Sequence, residues 1–214
     1  MDLQKYWDSK HKYYADADWE DEPTIFSRFT VQHFPKSGKL LELGAGQGQD
    51  SRFFAGLGYQ VVSTDFNDFA LEVSREKAKK KKLDKTKFLN IDMSQGIIPF
   101  DNNSFDIVYS HLSIHYFDDN TTKALFQEIN RVLKKDGIIA FLANSMSDPD
   151  TKEFEKIAEF LYRDREGLQK RYFSVEHIKK EVDGLFEIVV LDGLGAMLDP
   201  DKPDDLIRFI GRKV

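Results

Sequence analysis

The chain contains no cysteine. Disulfides, zinc–thiolate sites and cysteine nucleophiles are therefore excluded. No apolar run approaches the roughly 20 residues that a bilayer-spanning helix needs. The opening Met1-Asp2-Leu3-Gln4-Lys5 lacks the apolar centre of a secretory signal. A cytoplasmic protein with no membrane partner is the expectation. Basic charge is not in surplus either, because the formal net charge is −6. That argues against duplex nucleic acid as a partner, since phosphate contacts need a basic face. Internal repeats and low-complexity linkers are absent, so residues 1–214 read as one domain. Core material is plentiful: 41% of residues are hydrophobic and 13% aromatic, well inside the globular range.

Strand-like runs fall at Leu40–Leu43, Gln60–Thr64, Lys87–Ile91, Phe105–Ser110 and Ile138–Ala143, with helix-like runs between most of them. Thr121 to Leu133 is the clearest helix, with Leu125, Phe126, Ile129, Val132 and Leu133 on one stripe and Gly137 beyond its end. Asp148-Pro149 predicts the start of another, with Phe154, Ile157, Ala158 and Leu161 as its apolar stripe. Ser174 is placed to cap a helix running to Val182. Ahead of all this, Tyr6 to Trp19 is crowded with aromatics. A helix follows, with Pro23 in its first turn and Ile25, Phe26, Phe29 and His33 on one face. Leu185–Leu191 and Leu206–Val214 are strand-like and have no helix between them, which predicts an antiparallel pair. The expected architecture is a Rossmann-like, doubly wound α/β fold. Its mostly parallel seven-stranded sheet would end in an antiparallel C-terminal strand pair. Residues 1–38 would form an N-terminal helical cap, 39–144 a ligand-binding core, and 145–214 the C-terminal helices and strand pair.

The first strand runs into Gly44-Ala45-Gly46-Gln47-Gly48, and the second stops at Asp65, twenty-one positions after Gly44 (65 minus 44). Strand, glycine turn, helix, strand and acid form a grip for a nucleoside. Gly44 adopts angles a side chain forbids, Gly46 admits the ligand close to the main chain, and Gly48 lets the helix start hard against the strand. Asp65 is placed to accept from ribose hydroxyls, with Phe66 beside a purine face. The third strand ends at Asp92-Met93, where Asp92 could accept from an adenine amino group or merely serve a turn. Glu42, Asp65 and Asp92 thus come from the ends of three neighbouring strands, and clustered negative charge suits a cationic ligand.

Leu40-Leu41-Glu42-Leu43-Gly44-Ala45-Gly46-Gln47-Gly48 resembles the first motif of the class I S-adenosylmethionine-dependent methyltransferases. Val62-Ser63-Thr64-Asp65 is similar to their acidic loop, Asn90-Ile91-Asp92-Met93 to their adenine loop, and Phe105–Ser110 to their fourth strand. Glu128–Gly137 is similar to the approach to their fifth, and the closing strand pair to their terminal hairpin. Gly48-Gln49-Asp50-Ser51 also resembles the small-molecule enzymes of the tellurite-resistance and thiopurine type. The resemblance implies S-adenosylmethionine as cofactor and S-adenosylhomocysteine as product. It implies that Glu42 and the Gly44–Gly48 backbone, including Ala45, hold the methionine part. Asp65 would hold the ribose, Asp92 and Met93 the adenine, and Ser110 or His111 would approach the amino acid end or sulfonium.

Methyl transfer from a sulfonium is an in-line displacement, so alignment and exclusion of water carry most of the task. His115 is the candidate catalytic base, and with Tyr116 a candidate wall of the acceptor pocket. A loop histidine bonded to nearby backbone is the other reading. No metal centre is expected, since His111 and His115 lack a third ligand. Among the N-terminal aromatics, Trp7 is expected to pack the cap, and Tyr14 and Trp19 to lid the pocket of a small-molecule acceptor. Arg163, Arg165, Lys170 and Arg171 are a solvated stretch or a site for an anionic acceptor. The run Lys77 to Lys82 suits a helix end better than RNA. Two rival functions stand. One is a cofactor-binding module without turnover. The other is an NAD-dependent dehydrogenase, which the G-x-G-x-G spacing and the terminal pair fit poorly.

Overall fold

The computed structural model describes residues 2–15, 17, 21–204 and 206–214. The alternating pattern builds strands β1 (Lys39–Leu43), β2 (Gln60–Asp65), β3 (Lys87–Asn90), β4 (Phe105–His111) and β5 (Leu133–Ala143). Helices α3 (Gln49–Gly56), α4 (Asp68–Lys80) and α5 (Asp119–Val132) lie between them in the chain. Two helices precede the sheet, α1 (Leu3–Tyr14) and α2 (Ile25–Thr30). After β5 come a short α6 (Asp150–Glu153), strands β6 (Glu155–Ala158), β7 (Leu161–Arg163) and β8 (Gln169–Arg171), and helix α7 (Val175–Val182). The long strands β9 (Phe186–Gly195) and β10 (Leu206–Lys213) complete the chain. The main sheet has seven strands in the order β3-β2-β1-β4-β5-β10-β9. Its first five are parallel, while β10 runs antiparallel to both β5 and β9. The expected sheet is therefore present.

Strand periodicity divides the core between the two faces, because successive side chains point to opposite sides. Ile139, Phe141 and Ala143 face a cluster with Leu125, Phe126 and Ile129 of α5 and Ile178 of α7. Ile138, Ala140 and Leu142 face the other cluster, with Phe26 of α2 and Phe54 of α3. Reversal of strand order between β1 and β4 opens the crevice at the carboxy-terminal ends of these strands.

Three local expectations are corrected. The helix predicted from Asp148-Pro149 to Leu161 stops after one turn, and Phe154 is already extended. Its stripe instead forms a three-stranded antiparallel sheet, β6-β7-β8. Phe160 turns the chain at φ 60°, Leu161 and Tyr162 are buried, and Arg163 meets Glu155 across the strands at 3.0 Å. Pairing with the distant β8 overrides the local helical spacing. Gly137 does not end α5 either: β5 begins at Leu133, so Gly137 lies inside a strand. An added Cβ there would meet the Lys134 carbonyl oxygen at 2.9 Å, so the position needs glycine for closeness. Finally, Thr24 rather than Pro23 starts α2, its side chain accepting from the Ser27 N–H at 3.1 Å.

Candidate functional site

The Gly44–Gly48 loop is clasped from several sides. Gly44 has φ 68°, in the left-handed region, and an added Cβ would lie 2.2 Å from Cβ of Ser113. Glycine thus serves the turn and a close approach at once. Ser113, in the loop after β4, donates to the Leu43 carbonyl at 2.7 Å and pairs with the Ser110 hydroxyl at 2.6 Å. A Cβ on Gly48, at φ 74°, would meet Ser74 Oγ of α4 at 1.9 Å. The approach it permits is therefore to a neighbouring helix, not only to the strand.

Asp65 is buried at the end of β2. Its Oδ2 accepts from the Gly46 N–H at 2.8 Å and its Oδ1 from the Asn67 N–H at 2.9 Å. Burial raises its pKa, and these backbone donors oppose the rise. Glu42 is buried in β1 and accepts from Ser51 Oγ. Burial, with Asp50 nearby, holds its carboxyl well above the usual range. Asp50 accepts from the Thr24 N–H at 2.8 Å, the Thr24 hydroxyl at 2.8 Å and the Tyr109 hydroxyl at 2.7 Å, tying α2 to α3 and β4. Ala45 uses its N–H on the Thr64 carbonyl at 2.8 Å.

Asp92 is exposed and accepts from the Ser94 N–H at 2.8 Å, capping a 3-10 turn over Met93–Gln95. Met93 packs into the core below it. Phe66 is half-buried after Asp65. His111 is half-buried 6.4 Å from the Phe26 ring, and burial lowers its pKa. His115 is buried, its Nδ1 has no hydrogen-bond partner among the described residues, and its ring lies 4.4 Å from that of Tyr116. Burial first, then the charges of Lys170 and His111, push its pKa down to about 3.

Helix α1 supplies residues that the pattern of the chain did not single out for the site. Gln47 Nε2 donates to the His11 carbonyl at 2.7 Å, and Asn67 Nδ2 to Asp8 Oδ1 at 2.6 Å. A Cβ on Gly46 would come within 3.2 Å of the His11 ring. Trp7 lies 5.8 Å from His11 and 5.4 Å, edge-on, from Tyr116. The spacing of Trp7 and His11, four apart on one helix face, was the available signal. Trp7, expected to pack the cap, thus reaches Tyr116 in the loop after β4. Tyr14 lines a cavity of about 440 Å³ with Tyr6, Lys10 and Glu166, whose lining does not include His115 or Tyr116. Trp19 lies outside the described residues.

A seven-stranded sheet of this order, with a glycine loop after β1 and an acid at the end of β2, is the expected Rossmann-like, mostly parallel sheet with its antiparallel closing pair. Residues 41–141 match the family model described as Methyltransferase domain. An uncharacterized methyltransferase of Bacillus subtilis, YcgJ, is 28% identical over 54% of this chain and 45% of its own length. Phosphoethanolamine N-methyltransferase 1 of wheat, Triticum aestivum, is 26% identical over 93% of this chain and 39% of its own length. The chain therefore spans less than half of these relatives. A crystal structure of the Burkholderia thailandensis 1,6-didemethyltoxoflavin-N1-methyltransferase, with that compound and S-adenosylhomocysteine bound, superposes with TM-score 0.75. It is 17% identical and covers 99% of this chain and 87% of that one. The family-model match spans 101 of the chain's 214 residues (41 to 141), just under half, and the Burkholderia structure, at 17% identity, shares the fold.

Proposed function

We propose that this protein transfers the methyl group of S-adenosylmethionine to a small-molecule acceptor. The observation that carries the reading is Asp65, held at the end of β2 against the Gly46 N–H of the glycine loop. Its oxygens accept the Gly46 and Asn67 N–H groups, with the Phe66 N–H also facing the carboxylate, and a carboxylate has about four lone-pair sites. Capacity for a ribose hydroxyl therefore remains. When bound, the sulfonium would supply an activated methyl carbon for in-line displacement by the acceptor. The chain's task is positioning and dryness. Glu42 and the Gly44–Gly48 backbone would hold the methionine part, Asp92 the adenine, and Ser110 or His111 the amino acid end. His115, Tyr116 and Trp7 would wall the acceptor.

Support for a small acceptor comes from three directions. The wall is aromatic and partly closed by α1. The chain carries a net charge of −6. The wheat and Burkholderia proteins are named for small substrates. Calorimetric titration with S-adenosylmethionine, S-adenosylhomocysteine and NAD tests the cofactor. The expected result is binding of the first two only, weakened more than tenfold by Asp65→Ala. Affinity for NAD alone, or an unchanged Asp65→Ala, overturns the reading. A screen of small acceptors should then yield S-adenosylhomocysteine at a substrate-dependent rate, which a module without turnover cannot do.

A further inference from the structure

Away from the glycine loop, the start of α5, helix α7 and the β6–β8 sheet enclose a cavity of about 510 Å³. Asp119, His177 and Glu181 present one ligand atom each there, all within 4.8 Å of one another. His177 and Glu181 lie four apart on α7, so one helix face carries both. Their Nε2 and Oε1 atoms are 3.4 Å apart. Tetrahedral zinc, with bonds of about 2.0–2.2 Å, holds its ligand atoms roughly 3.4 Å apart. The pair on α7 already has that spacing, and the exposed Asp119 side chain has to close by up to about 1.4 Å (4.8 minus 3.4).

We propose that Asp119, His177 and Glu181 form a site for a divalent transition-metal ion, with an open position facing the cavity. The imidazole is 7% exposed, packed 4.3 Å from the Phe160 ring and 5.6 Å from Phe173, and its Nδ1 is buried without a partner among the described residues. Its Nε2 faces Glu181, so only Nδ1 lacks a partner among the described residues. One nitrogen and two carboxylates favour zinc or its neighbours over calcium or magnesium, which take oxygen alone.

The surroundings are mixed but acidic. Asp118, Glu159 and Glu176 also line the cavity, against Lys123, Lys180 and Arg171. Lys123 lies 2.7 Å from Asp119 Oδ2, and Arg171 lies 3.4 Å from its Oδ1. The lysine pair is exposed and therefore weak and readily exchanged for metal. Arg171, buried and donating to the Phe117 carbonyl at 3.1 Å, would remain as the outer partner that orients Asp119. Arg171 also touches the end of the loop that carries His115 and Tyr116, through the Phe117 carbonyl.

The test uses the full chain, stripped with EDTA and dialysed against zinc, with cobalt as a spectroscopic stand-in. The expected result is one zinc per chain, visible cobalt bands of a low-coordinate nitrogen–oxygen site, and a rise in the thermal midpoint that EDTA reverses. Glu181→Gln keeps the shape of the helix face and should weaken zinc at least tenfold, as should His177→Ala. If His177→Ala fails to fold, Glu181→Gln and Asp119→Asn decide. No zinc bound at 100 μM, or equal binding by those carboxamide variants, overturns the proposal. Equal binding would place the metal on another of the chain's five histidines.

Discussion

His115 shows how one buried ring constrains the chemistry. With its pKa near 3 it is neutral at every pH where the protein would work. A base so weak is poorly matched to abstracting a proton near neutrality. The unpartnered Nδ1 suits a hydrogen-bond acceptor that orients the methyl acceptor. His115→Ala should therefore lower kcat while cofactor affinity stays within about twofold. The wild-type rate should show no inflection near pH 6.5 that this substitution removes. Equal losses in both constants would move His115 to the cofactor side. Stability carries the same signature. Between about pH 3 and 6.5 the unfolded chain binds a proton at this residue that the native chain does not. Stability is then lost as pH falls through that window, by about 1.4 kcal/mol per pH unit for a fully buried group. Burial lowers His11, His111 and His177 as well, so their contributions have the same sign. His115→Phe should flatten the slope of unfolding free energy between pH 4.5 and 6.5, measured with urea; an unchanged slope would mean the imidazole is not held neutral.

Helix α1 contributes little to the core, since none of its residues is buried. What it makes are contacts to the site: Asp8 to Asn67, the His11 carbonyl to Gln47, and Trp7 to Tyr116. Removing residues 1–14 should shift the urea midpoint only slightly, yet speed dissociation of S-adenosylhomocysteine and lower turnover. A truncated chain that no longer unfolds cooperatively would make α1 structural instead. This element also marks where the sequence was readable. The strands themselves followed from apolar runs of the right length, and Asp65 from its place after Thr64. Thr24, Asp118 and Ser174 act as local caps, and Ser174 was visible as one. What escaped depended on distant partners. The stripe Phe154-Ile157-Ala158-Leu161 fits a helix locally, and only pairing with Gln169–Arg171 makes it strand. Trp7 and His11 gave no sign of which loop they would cover. Asp119, His177 and Glu181 stand 58 and 62 positions apart from first to second and third (177 minus 119, 181 minus 119), so no spacing rule joins them.

The whole molecule places these pieces on one sheet with a core on each face. Tyr109 and Leu40 point to one core, Val108 and Leu41 to the other. The glycine loop lies where β1, the strand between those layers, ends. A ligand bound there touches the ends of β1, β2 and β4 together, so it binds only the assembled sheet. Binding to the native state alone stabilises by RT ln(1 + [L]/Kd), about 2.7 kcal/mol when ligand is at 100 times its Kd. For a domain of this size each kcal/mol moves the midpoint by roughly 2–4 °C. S-adenosylhomocysteine at that excess should therefore raise the melting temperature by roughly 5–11 °C. NAD at equal concentration should leave it unchanged. In Asp65→Ala the same concentration of S-adenosylhomocysteine is at most 10 times the new Kd, which leaves about 1.4 kcal/mol and roughly half the shift. A full shift in that variant would mean that the ligand is held without the β2 carboxylate. The crevice at the β1–β4 reversal would then not be where the adenosyl group binds.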